Sequence, residues 1–88
     1  MIIRSQDKRK LTNFAQVTDL VVSKNRTAEF EIIACYSYFA DSDCGFASIG
    51  TYSTEAKAIK VLDMIEDACR NMAFTDGMVF RMPQDSDV

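Results

Sequence analysis

The chain has no histidine and no tryptophan, one proline and only three glycines. The missing histidine excludes most. It removes the commonest general base near neutral pH and the commonest neutral metal ligand. Nucleophilic catalysis built on Ser–His or Cys–His pairs goes with it. The glycines, Gly45, Gly50 and Gly77, are too scattered to form a phosphate-cradling loop. No apolar run approaches the roughly 18 residues needed to span a bilayer. Met1-Ile2-Ile3-Arg4 turns polar at once, so no secretory signal is read there. A chain of 88 residues holds one modest core. That rules out a two-domain enzyme with a cleft between its domains.

The cysteines are Cys35, Cys44 and Cys69, an odd number with no Cys-x-x-Cys pair. Reduced thiols in a cytoplasmic protein are the expectation. A zinc site using all three is the metal alternative, but it lacks the paired spacing of known zinc ligands. No cofactor is implied. A nucleophilic cysteine would need a base that the chain does not supply.

Net charge is −3, unevenly placed. Residues 1–27 carry six basic side chains (Arg4, Lys8, Arg9, Lys10, Lys24, Arg26) against Asp7 and Asp19, a balance of +4. Residues 28–88 carry four basic against eleven acidic, a balance of −7. An acidic surface repels nucleic-acid phosphates and suits a basic protein partner. The plainer reading of the same charge is solubility.

Along the chain, residues 1–5 and 11–14 read as short strands joined by the polar turn 6–10, a hairpin. Residues 17–22 are β-branched and form a strand. Ser23-Lys24-Asn25-Arg26 is the turn after it, with Asn25 suited to a left-handed conformation. Residues 28–39 alternate. Phe30, Ile32, Ala34, Tyr36 and Tyr38 share one apolar face, while Glu29, Glu31, Ile33, Cys35, Ser37 and Phe39 share the other. Asp41 to Gly45 turns the chain into a strand over 46–52, interrupted at Gly50.

A helix is expected over about 54–72, with Ser53 as the capping acceptor and Glu55 favoured in the first turn. Ala58, Val61, Leu62, Ile65, Ala68, Cys69 and Met72 fall within about 120° of arc on that helix. This stripe makes Cys69 a small core residue. Residues 78–82 are a last strand that Pro83 stops. The fold expected is α+β: one curved antiparallel sheet of four to six strands, with one amphipathic helix on one face. Residues 1–83 form the single domain and 84–88 a polar tail.

Candidate sites follow from charge and aromaticity. Asp41 and Asp43 flank a turn, where a cation or simple solvation are both open readings. Asp63, Glu66 and Asp67 lie on the polar side of the helix. Phe39, on the mixed strand face beside the Asp41–Asp43 turn, is the aromatic interface candidate. Tyr36, Phe46 and Tyr52 are read as core. The run Lys8-Arg9-Lys10 could meet phosphate or be merely solvated. Arg4, Lys8 and Arg81 are the cations that would converge if the chain held a small anionic ligand.

Four stretches resemble one family. They are Met1-Ile2-Ile3-Arg4-Ser5-Gln6-Asp7, Ile49-Gly50-Thr51-Tyr52-Ser53-Thr54-Glu55, the helix from Ala58 to Ile65, and Val79-Phe80-Arg81-Met82-Pro83. Together they are similar to a family of small phage and prophage proteins of Gram-positive bacteria. The pattern departs at Thr51, where that family has a glutamate. The resemblance implies a phage setting and carries over no catalytic residue. In size and charge the chain is similar to anti-CRISPR proteins. It implies a non-enzymatic inhibitor that binds a host protein, with Phe39, Asp41, Asp43, Asp63, Glu66 and Asp67 facing a basic nuclease surface. A nucleotide-sequestering protein and a phage structural oligomer are the alternatives.

Overall fold

The computed structural model describes residues 2–36, 45–71 and 79–88. The fold is α+β, with six strands and one α-helix among the described residues. Strand β1 (Ile2–Arg4) pairs antiparallel with β2 (Leu11–Asn13). A 3-10 turn over Phe14–Gln16, whose first amides include Ala15 N bonded to Asn13 Oδ1 at 3.1 Å, redirects the chain. It then enters β3 (Val17–Lys24), β4 (Phe30–Tyr36) and β5 (Gly45–Tyr52), an antiparallel meander. Helix α1 (Glu55–Asn71) follows, and β6 (Val79–Arg81) closes the fold.

The six strands form two sheets rather than one, ordered β2-β1-β6 and β3-β4-β5. Pairing is antiparallel except between β1 and β6, which run parallel. Short links impose antiparallel neighbours, but almost the whole chain separates β1 from β6, so nothing local sets their direction.

The inner faces of both sheets and one face of α1 share a single core. It comprises Ile3, Ile32, Ala34, Ile49, Tyr52, Ala58, Val61, Ile65 and Met82. The alternation expected for residues 30–34 holds, with Ile32 and Ala34 fully buried. The helix starts within a residue of the expected limit and runs to Asn71, the last described residue of that segment. Its stripe does not hold throughout. Ala58, Val61 and Ile65 are buried, yet Cys69 is exposed. Cys69 has the right angle about the axis. Burial also needs a partner at its height along the axis, and the buried positions stop at Ile65.

Two local details differ from expectation. The helix starts at Glu55, so the cap is Thr54, whose Oγ1 accepts from Lys57 N at 3.2 Å. Ser53 points elsewhere. In the β3–β4 turn the left-handed residue is Ala28, with φ 65°, and not Asn25. Asn25 instead accepts through Oδ1 from the amides of Thr27 at 3.0 Å and Glu29 at 2.9 Å. This side-chain turn needs no left-handed backbone at Asn25 itself.

Strand β5 contains the feature that shapes one surface of the molecule. Ile32 pairs with Gly50 but Ile33 pairs with Ser48, so Ile49 is an extra residue, a β-bulge. Strict alternation would put Ile49 and Tyr52 on opposite faces. The bulge lets both be buried. It also inverts the parity of the residues before it. Phe46, expected in the core alongside Tyr52, is 69% exposed on the outer face.

Tyr52 lies over Gly50, and its hydroxyl donates to Pro83 O at 2.8 Å. Burial first, and the charge of Asp85 second, push its phenol up to about 12. A Cβ at Gly50 would stand 3.1 Å from Tyr52 Cε2 and from the Tyr52 hydroxyl. Gly50→Ala should therefore destabilise the protein by about 1–3 kcal/mol, the usual range for overpacking. Chemical denaturation would measure this, and an unchanged midpoint would mean that Tyr52 can move aside.

The two sheets are joined by Gln6, in the β1–β2 turn. Gln6 N donates to Ile49 O at 2.8 Å. Its side-chain Oε1 accepts from Thr51 N at 2.8 Å, and Nε2 donates to Thr51 O at 3.0 Å and Pro83 O at 3.3 Å. Gln84 Nε2 donates in turn to Gln6 O at 2.8 Å. Gln6→Ala removes the three side-chain bonds and should lower stability by about 2–3 kcal/mol at roughly 1 kcal/mol per bond. Urea unfolding of the two proteins side by side gives the figure.

Candidate functional site

The outer surface of the β2-β1-β6 sheet is basic at one end. Residues in register across strands project to the same side. Ile3, paired with Thr12 and Phe80, points inward to the core. Arg4 is therefore on the outer side, with Leu11 in register on one flank and Arg81 on the other. Arg4 and Arg81 line a pocket of about 320 Å³ with Lys8, Ser5 and Met82. The three cations named together from the sequence thus meet at one place.

The turn that carries Lys8 is tightly held. Ser5 N donates to Lys10 O at 3.0 Å, Lys8 N to Ser5 O at 2.9 Å and Lys10 N to Ser5 Oγ at 3.1 Å. Lys8 itself is left-handed, with φ 67°. Arg4 Nη2 donates to Lys8 O at 3.1 Å, but Arg4 Nε is buried and has no hydrogen-bond partner. Neither arginine nor Lys8 belongs to a salt bridge among the described residues. Asp7, the acid nearest in sequence, is engaged elsewhere. It accepts from Ser5 Oγ and from Arg9 N at 2.9 Å. The Ser5 hydroxyl first, then the Arg9 amide, hold its carboxyl below the ordinary value.

The acids expected at a partner surface divide between two places. Asp41 and Asp43, with Phe39 and Cys44, lie outside the described residues. Asp63, Glu66 and Asp67 are all exposed on α1. By helical angle, Asp63 and Asp67 face away from the core, while Glu66 sits on the flank, 3.7 Å from Arg70. Phe46 and Val21 are exposed on the opposite side of the β3-β4-β5 sheet from the helix, with Ile33 and Cys35 half-buried between them.

Among the described residues no group of three His, Cys, Asp or Glu is placed to hold a metal ion. Cys35 is on the outer sheet face and Cys69 is on the helix that packs against the inner one. The sheet stands between them, so one ion cannot join both. No helix among the described residues is long and apolar enough to cross a membrane.

Sequence reasoning missed Asp85. Residues 84–88 are polar but docked. Ser53 donates to Asp85 Oδ1 through N at 2.8 Å and through Oγ at 3.1 Å. Lys57 Nζ donates to Asp85 O at 3.0 Å and stands 3.4 Å from Oδ2. The Ser53 amide foremost, with the Lys57 charge adding to it, holds this carboxyl below its ordinary value. Met82, which lines the cationic pocket, is held by its own amide, which donates to Arg4 O at 3.0 Å. A lowered folded-state pKa gives stability that is complete above the unfolded value of about 3.9 and is lost as pH falls through the folded one. Asp85→Asn should therefore lower the melting temperature at neutral pH and narrow its gap to the native chain in acid. Thermal melts from pH 7 down to pH 2 test this, and a gap constant with pH would refute it.

Comparison of the chain with protein-family models, curated proteins and solved structures finds no match.

Proposed function

We propose that this chain is a non-enzymatic phage protein that inhibits a host defence nuclease, of the CRISPR effector class, by covering its basic nucleic-acid surface. The observation that carries the reading is the exposed aromatic on an open sheet face. Phe46 is 69% exposed and Val21 41% exposed on the outer side of β3-β4-β5. Exposed aromatic side chains at the centre of an apolar patch are typical anchors of protein interfaces. The phage resemblance and the −7 balance after residue 27 support the same reading.

The acids and the anchor then have separate roles. Asp63, Glu66 and Asp67 are on the far side of the sheet from Phe46, so they act through long-range steering of a basic partner. Phe46 acts by contact. Association kinetics against purified CRISPR effectors, at several salt concentrations, separate the two. Phe46→Ala should raise the dissociation rate, weakening binding by about 1–2 kcal/mol or more. Asp63→Asn, Glu66→Gln and Asp67→Asn together should slow association and flatten its salt dependence. Failure of every effector to bind, or binding indifferent to both sets of changes, would sink the proposal.

A further inference from the structure

We infer that the pocket formed by Arg4, Lys8 and Arg81 is a binding site for a small phosphate-bearing ligand of mononucleotide type. Three independent features point to it, and none relies on the inhibitor reading.

The first is unbalanced charge. Arg4 and Arg81 are direct neighbours across parallel strands, and Lys8 reaches the same pocket. Like charges side by side on a sheet repel. The chain has 13 acidic residues, yet none of those described forms a salt bridge to these cations. The nearest in sequence, Asp7, is bonded to Ser5 and Arg9. An incoming dianion would relieve that repulsion, and guanidinium forks suit phosphate oxygens.

The second feature is a free donor. Arg4 Nε is buried and unpartnered. A buried donor without a partner is unfavourable unless something occupies it. Arg4 Nη2 is already committed to Lys8 O, which fixes the guanidinium in place. The guanidinium is thus held in orientation at the pocket it lines, and the unpaired Nε, which has no accessible surface, comes within reach of a ligand only if the group shifts.

The third feature sets the ligand class. The pocket volume of about 320 Å³ is at the lower end of small-molecule sites, which run from about 300 to 1,000 Å³. An extended polynucleotide would need a longer cationic track than one pocket on an acidic protein. Outside the pocket lining but in register with Arg4, on the flank opposite Arg81, Leu11 is 65% exposed and offers an apolar surface for a planar group that extends from the phosphate beyond the pocket. Phosphate over the arginines and a base over Leu11 is the arrangement of a mononucleotide.

Calorimetric titration of the full chain tests this with four probes: adenosine monophosphate, adenosine, inorganic phosphate and a short single-stranded oligonucleotide. The nucleotide should bind, and adenosine should not. Inorganic phosphate should bind at least about tenfold more weakly than the nucleotide, because it makes no contact with Leu11. Arg81→Gln and Lys8→Gln change exposed residues outside the core, and each should weaken nucleotide binding by about tenfold or more. Higher salt should weaken it as well. The proposal is overturned if the nucleotide does not bind at millimolar concentration, or if binding survives Arg81→Gln and Lys8→Gln unchanged. Equal binding of inorganic phosphate, or preference for the oligonucleotide, overturns the mononucleotide assignment. Circular dichroism of both variants confirms that a loss of binding is not a loss of fold.

Discussion

A single amide holds the two sheets of this protein in register. Strands β1, β2 and β6 have three residues each, so their sheet relies on packing against the rest of the fold. Strand β5 is the edge of its own sheet, with backbone groups at Ile49 and Thr51 open to pairing. An open edge needs a partner or invites association. Gln6 supplies the partner. Its side chain carries a donor and an acceptor on one planar group and so pairs with Thr51 as a strand residue would. Its own amide completes the row at Ile49 O. A glutamate at position 6 would lose the donor and set charge against two carbonyls. Alanine would leave those backbone groups to water. The hairpin, the edge strand and the C-terminal segment are all tied at this residue.

The bulge at Ile49 lies at that suture, where Gln6 N donates to Ile49 O. It compresses two inward-facing residues, Ile49 and Tyr52, into a span that alternation would share between faces. Tyr52 then crosses Gly50 to reach Pro83 O, the same carbonyl that Gln6 Nε2 contacts. Core, edge and C-terminal segment are thus coupled through one carbonyl. The consequence on the outside is Phe46. With the parity inverted, its ring faces solvent, and the surface gains an aromatic that no part of the core requires.

What was legible in the sequence was what local periodicity determines. The helix from Glu55 to Asn71, the inward set Ile32 and Ala34, and the first hairpin could all be read directly. What was not legible depended on distant partners. The parallel pairing of β1 with β6 joins opposite ends of the chain. The exposure of Cys69, beyond the last buried helix position Ile65, is not set by its angle about the helix axis. Ser53 gave up the cap to Thr54 because Asp85, more than thirty residues on, draws its amide and hydroxyl away. Phe46 had one available signal: a glycine in mid-strand often marks a bulge, and a bulge reverses the faces before it. The pocket cations could be named together only as what a small anionic ligand would need; the pairing that sets Arg4 beside Arg81 is one of those distant contacts.

Both sheets spend their inner faces on one shared core. Recognition is therefore left to outer surfaces, and each carries a different chemistry. The β3-β4-β5 sheet shows an aromatic and aliphatic face, and the helix shows acids. The short sheet shows paired arginines beside a pocket. Like charges in register lower the stability of the very sheet that has the fewest residues to hold it. A carboxylate in place of Arg81 would convert that repulsion into a cross-strand pair with Arg4. The core would not resist the change, since Arg81 is exposed. An unrelieved cationic pair in an acidic protein is thus a feature of the surface chemistry and not a demand of the fold. Its physical complement is an anion brought from outside.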